Sequence, residues 1–219
     1  MSEGRAILAR YEVSVSDLGL GAILEVPPGA RGIVIFAHGS GSGRLSPRNT
    51  YVARGLRDAG FATLLLDLLT PEEERDRRNV FDIALLAARL RLARDWCRKH
   101  PATARLRPSY FGASTGAGAA LRAAAGDAEI AAIVSRGGRP DLAGPAALAN
   151  VAAPTLLIVG GRDDLVIDLN REALAAMRCP RELAIVPGAG HLFEERGALD
   201  RVVALAAAWF RRYLPRAGA

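Results

Sequence analysis

Pro108-Ser109-Tyr110-Phe111, then Gly112-Ala113-Ser114-Thr115-Gly116, then Ala117-Gly118-Ala119-Ala120-Leu121 is the stretch that decides the fold. The short apolar run reads as a strand and the alanine- and glycine-rich run as a helix. Between them, the G-x-S-x-G pentapeptide reads as a sharp turn that lifts a serine above the end of a sheet. Side chains two positions either side of such a serine would collide with the neighbouring strand and helix, so glycine stands at both. The pentapeptide alone is only moderately specific. With 23 glycines and 9 serines in 219 residues, chance supplies roughly 0.1 occurrences. Its place between strand and helix is what gives it weight.

Working outward, the same alternation fills the chain. Ile7–Val15 and Leu20–Val26 read as two strands joined by a turn at Ser16, Asp17 and Gly19, an antiparallel entry pair. Gly32–Ala37, Phe61–Asp67, Pro108–Gly112, Ile130–Val134, Thr155–Gly160 and Glu182–Val186 are short apolar runs of the kind buried on both faces of a parallel sheet. Helical stretches separate them: about Pro47–Ala59, Val80–His100, Thr115–Ala125, Leu169–Met177 and Ala198–Tyr213. Thr70, Pro71 and Glu73 have the spacing of a capping box. Eight strands with helical crossovers predict an α/β fold whose sheet is mostly parallel, with helices on both faces. No linker or repeat divides it, so residues 1–219 read as a single domain.

An elbow serine needs a base, and the chain has three histidines. His100 ends a long helix before Pro101 and reads as a surface residue. His38, in Ala37-His38-Gly39, lies upstream and reads as shaping a glycine turn. His191, in Gly188-Ala189-Gly190-His191, follows the last strand, where it can hang over the top of the sheet. A carboxylate on the loop after the preceding strand, Gly160-Gly161-Arg162-Asp163-Asp164, would orient that imidazole. Asp163 is the first choice, adjacent Asp164 its rival and Asp141 a distant third. The chain order Ser114, Asp163, His191 is that of α/β-hydrolases.

On these residues the chain resembles the α/β-hydrolases, and within them the dienelactone hydrolase-like group. The likeness runs from His38-Gly39 through Gly112–Gly116 and Gly160–Val166 to His191. It implies an eight-stranded sheet with its second strand antiparallel. It also implies an oxyanion hole from the backbone N–H groups of Thr115 and Ser40, and no metal or organic cofactor. Dienelactone hydrolases proper carry cysteine at the nucleophile position, where this chain has Ser114, so the lactone substrate is not carried over. The resemblance implies a serine hydrolase acting on a small ester, thioester or lactone. The alternatives are a noncatalytic binding module of the same fold, and an NAD-dependent oxidoreductase using Gly39-Ser40-Gly41-Ser42-Gly43 with Asp67. The latter loop lacks the G-x-G-x-x-G spacing, and Arg44–Ser46 separate it from the helix.

Composition bounds the rest. Half of the residues are hydrophobic and 24% are charged, enough for a large core without staples. Cys97 and Cys179 have no metal or redox spacing. Met1–Val15 carries Glu3, Arg5, Arg10 and Glu12, so no secretory segment is expected there; with no membrane-length apolar run, the cytoplasm is the expected location. The net charge of +6 comes from arginines interspersed with acids, which argues against a nucleic-acid partner. Arg139–Ala152 leaves room for only a short helix, so no large cap is expected. Arg44, Arg48, Arg136 and Arg139 are placed in loops near the strand ends, where they would suit an anionic substrate.

Overall fold

The computed structural model describes residues 8–214. Its eight strands are β1 (Ala9–Val15), β2 (Leu20–Val26), β3 (Ile33–Ala37), β4 (Ala62–Leu66), β5 (Pro108–Ala113), β6 (Ile133–Arg136), β7 (Thr155–Gly160) and β8 (Arg181–Val186). They form one sheet in the order β1-β2-β4-β3-β5-β6-β7-β8. β2 is antiparallel to both β1 and β4. Every other neighbouring pair is parallel. The sheet is therefore mostly parallel with an antiparallel start, as the sequence predicts. Ile7 of the expected first strand lies outside the described residues.

The helices are α1 (Pro47–Asp58), α2 (Pro71–Glu74), α3 (Arg77–Val80), α4 (Ile83–Lys99), α5 (Thr115–Ala124), α6 (Pro145–Asn150), α7 (Asp164–Ala176) and α8 (Ala198–Tyr213). Strands β3, β4, β5 and β7 are buried at every position, which is why they read as continuous apolar runs. Alternate residues feed two cores. Ile33 and Ile35 pack with Leu86 and Leu90 of α4 and Leu121 of α5. Val34 and Phe36 pack with Val52 and Leu56 of α1 and Val202 and Phe210 of α8. Each fully buried aliphatic or aromatic side chain of this kind stabilises the fold by about 1.5–3 kcal/mol. The connection from β6 to β7 holds only a 3₁₀ turn, Pro140–Ala143, and the six-residue α6, so no large cap covers the sheet.

Three element starts differ from the sequence reading by three residues or more. The expected strand Ile130–Val134 begins at Ile133 and continues through Ser135 and Arg136, both buried polar residues that no apolar pattern can signal. The expected helix Leu169–Met177 starts five residues earlier, at Asp164, with Asp163 at the N-cap position, so the charged first turn belongs to the helix although it carries no apolar periodicity. The expected helix Val80–His100 starts at Ile83, where the Asp82 carboxylate accepts the Leu85 N–H at 3.0 Å. The capping box at Thr70 and Glu73 forms in both directions, but the helix it opens is only four residues long.

Candidate active site

Ser114 sits between β5 and α5 with φ +50° and ψ −124°, backbone that a non-glycine residue adopts at a cost of about 1–3 kcal/mol. Close packing on both sides holds it there. A Cβ on Gly112 would come within 2.5 Å of Ala117 Cα, and one on Gly116 within 2.3 Å of the Ala37 carbonyl oxygen. These are backbone atoms that cannot swing away. Gly116→Ala is therefore expected to destabilise the fold by about 3 kcal/mol. The check is a lowered denaturant midpoint at unchanged m-value. The Ser114 carbonyl accepts N–H bonds from Ala117 and Arg139, each at 3.0 Å, which ties the turn to the segment after β6.

Asp163 and His191 arrive from the loops after β7 and β8. Asp163 occupies the N-cap position of α7, yet its carboxylate makes no capping bond. Instead Oδ2 accepts from His191 Nδ1 at 2.6 Å. This bond leaves Nε2 as the ring nitrogen without a protein partner among the described residues. Asp164 is exposed in the first turn of α7, and Asp141 is engaged by the Arg139 guanidinium at 2.9 and 2.7 Å. Of the three carboxylates, the structure brings only Asp163 to His191.

The residues that hold the histidine loop have no motif. The Arg162 N–H donates to the Ala189 carbonyl at 2.9 Å, and the Arg162 side chain pairs with Glu195. The Glu195 carboxylate also accepts the Gly190 N–H at 3.1 Å. Bonds to the Glu195 and Gly190 backbone N–H groups, then the Arg162 cation, hold this carboxyl below its usual range. Phe193, with φ +56°, is 1% exposed and anchors the loop in the core. An aromatic residue two positions past the histidine of a polar loop was the available sequence signal for that anchor.

The loop after β3 closes the other side. His38 is buried, its Nε2 accepting the Leu68 N–H at 3.1 Å and its Nδ1 lying 2.9 Å from the Gly39 carbonyl. Both ring nitrogens are thereby committed to backbone. Burial outweighs nearby acids and keeps the ring's pKa below the usual histidine value, so it is neutral at pH 7. His38 shapes the glycine turn and is no proton carrier. The Ser40 N–H donates to Thr115 Oγ1 at 3.0 Å, so this amide is occupied by a protein hydroxyl. Asp67, the acid of the dinucleotide alternative, accepts the Arg44 N–H at 2.6 Å and pairs with the Arg44 guanidinium. Ser46, not the glycines, caps α1.

Ser114, His191, Ser40, Gly39, Asn49, Arg48 and Arg136 face one cavity of about 240 Å³. No hydrogen bond joins Ser114 to His191 among the bonds of the described residues. A second cavity, of about 610 Å³, lies against the other flank of the Gly39–Pro47 loop, next to Thr115 and Leu69. Two of the four arginines placed in loops sit elsewhere: Arg48 is in the first turn of α1, and Arg136 is the last residue of β6. Among the described residues no cluster of histidine, cysteine and acidic side chains could hold a metal ion, and no helix is long and apolar enough to cross a membrane.

A dienelactone hydrolase from Anabaena variabilis is 56% identical and superposes with a TM-score of 0.91, over 94% of this chain and 99% of that one. Est1E from Butyrivibrio proteoclasticus shares the fold at 14% identity, with a TM-score of 0.78 over 93% of this chain and 98% of that one. A Mycobacterium tuberculosis protein described as a "Putative phosphoribosyl transferase" is 61% identical over 192 residues, which is 87% of this chain. That match takes in 43% of the mycobacterial protein, so the chain spans less than half the length of this relative. The family model for the dienelactone hydrolase family matches residues 20–213. With the eight-stranded sheet and a match of that extent, the chain belongs to the dienelactone hydrolase family and has the α/β-hydrolase fold.

Proposed function

We propose that the chain is a serine hydrolase that cleaves a small ester, thioester or lactone through an acyl-enzyme on Ser114. The observation that carries this reading is the 2.6 Å Asp163–His191 hydrogen bond on the rim of the cavity that holds the strained Ser114 turn. A serine hydroxyl is a weak nucleophile at neutral pH and must lose its proton as it attacks. His191 Nε2 takes that proton, while Asp163 fixes the ring's tautomer and stabilises the cation that forms. The ring must close on Ser114 Oγ for the transfer, presenting Nε2, the nitrogen that Asp163 does not hold. The protonated ring then gives the proton to the leaving group. Water, deprotonated by the same nitrogen, attacks the acyl carbon; the ring then gives that proton to Ser114 Oγ as the acyl–oxygen bond breaks, which releases the acid and restores the free serine.

The Thr115 and Ser40 N–H groups stabilise the tetrahedral oxyanion, each contributing about 3 kcal/mol. Ser40 exchanges the Thr115 hydroxyl for the oxyanion when substrate binds. In the free protein that hydroxyl keeps the amide satisfied. A burst of about one nitrophenolate per chain from 4-nitrophenyl acetate tests the covalent step. Steady release with no burst, and no acetyl adduct in the intact mass under fast quench, would count against it.

Serine chemistry also separates this chain from relatives that use cysteine. Cys97 and Cys179 are both buried; burial pushes the Cys97 thiol up to about 12 and raises that of Cys179. Neither is a thiolate at pH 8, the form that reacts. Iodoacetamide at pH 8 is therefore expected to leave esterase activity intact and to alkylate the cysteines only after unfolding. Inactivation by a single carboxamidomethyl group on the folded protein would contradict the assignment.

A further inference from the structure

The four arginines near the site differ in one respect. Arg44 is held by Asp67, Arg139 by Asp141, and Arg48 reaches Glu194 at 3.3 Å. Arg136 has no such partner. The residue is 8% exposed, Nη1 is buried with no hydrogen bond, and no carboxylate among the described residues pairs with it. Burial, and then the neighbouring Arg48 charge, lower its pKa to about 10, which still leaves it a cation at pH 7. A buried unpaired cation is one of the costliest features a fold can carry, so its persistence calls for a counter-charge that arrives from outside.

Its position says where that counter-charge binds. Arg136 is the register partner of Ala113, the residue before the nucleophile, and its carbonyl accepts the Ser114 N–H at 3.4 Å. In-register neighbours on parallel strands point to the same face, so Arg136 lies on the α1 side of the sheet with Ala113. There it lines the 240 Å³ cavity with Asn49 of α1, whose side-chain oxygen is likewise buried without a partner. Two residues that each keep a buried polar atom without a partner, one of them a cation, thus line the cavity that holds Ser114 and His191.

Resting on the serine hydrolase reading, we propose that Arg136 is the anion-binding residue of this site, selecting substrates with a carboxylate or phosphoryl group a few bonds from the scissile carbonyl. The cavity is too small to separate the two ends of such a substrate widely. The planar guanidinium offers paired N–H donors suited to either anion, and Asn49 supplies a neutral polar neighbour beside it. Arg48 adds a second positive charge at the mouth, loosely held by the exposed Glu194.

Four esters test this: mono-(4-nitrophenyl) succinate and 4-nitrophenyl butyrate, with charge or none on the acyl side, and 4-carboxyphenyl acetate and phenyl acetate, the same contrast on the leaving-group side. The native chain is expected to favour at least one charged ester over its neutral counterpart in kcat/KM. That ratio should fall by about 30-fold or more in Arg136→Met and be partly restored in Arg136→Lys. An acyl phosphate partner, acetyl phosphate, reads the phosphoryl arm in the same way. No anionic preference in the native chain, or a ratio unchanged in Arg136→Met, overturns the proposal. Labelling of the native chain by a neutral fluorophosphonate reads the nucleophile separately. A chain that labels without anionic preference loses this proposal alone, and one that does not label loses the hydrolase reading as well.

Discussion

Ser114→Ala is expected to reduce ester hydrolysis by about 10⁵- to 10⁶-fold, to the level that binding and oxyanion stabilisation alone sustain. The argument rests on what the turn is for. Its backbone is held in a costly conformation by Gly112 and Gly116, whose Cβ atoms would strike the neighbouring backbone. Such strain persists at a site where a side chain must be presented. Alanine keeps the backbone and removes only the hydroxyl, so the melting temperature should change little while turnover collapses. Steady-state kinetics beside a thermal melt separate the two effects. A variant that folds and keeps a tenth of native activity would show that the hydroxyl is not the nucleophile.

Asp163→Asn should cost about 10³- to 10⁴-fold in kcat, whereas Asp164→Asn should stay within about threefold. The two carboxylates are neighbours in sequence and opposite in surroundings. Asp163 gives its oxygen to His191 Nδ1 in place of capping α7, while Asp164 points to solvent in the helix's first turn. An asparagine at 163 still fills the space, but it can present an N–H to the ring and favour the wrong tautomer. It also provides no charge for the imidazolium. Equal losses in both variants, or the larger loss at 164, would reassign the acid.

The sequence made the sheet legible because its strands are buried on both faces and therefore apolar throughout, as β3, β4 and β7 are. Legibility failed where polar residues are buried. Ser135 and Arg136 extend β6 without an apolar signal, so apolar patterning assigns to a loop a residue that lines the cavity. The three candidate loops could be found from strand ends and chain order, but the choice between Asp163 and Asp164 could be argued only weakly. Spacing does not say which of two adjacent side chains turns toward a histidine. Nor did any pattern announce the Arg162–Glu195 brace or the bond from the Ser40 N–H to Thr115 Oγ1. These join loops distant in sequence and use residue types common throughout the chain.

The nucleophile is the centre of the account, and a fluorophosphonate probe with peptide mapping tests it most directly. The prediction is a single adduct, located on Ser114, lost in Ser114→Ala and strongly slowed in Asp163→Asn. Failure of the folded native chain to label, or an adduct that maps elsewhere and survives Ser114→Ala, would contradict it.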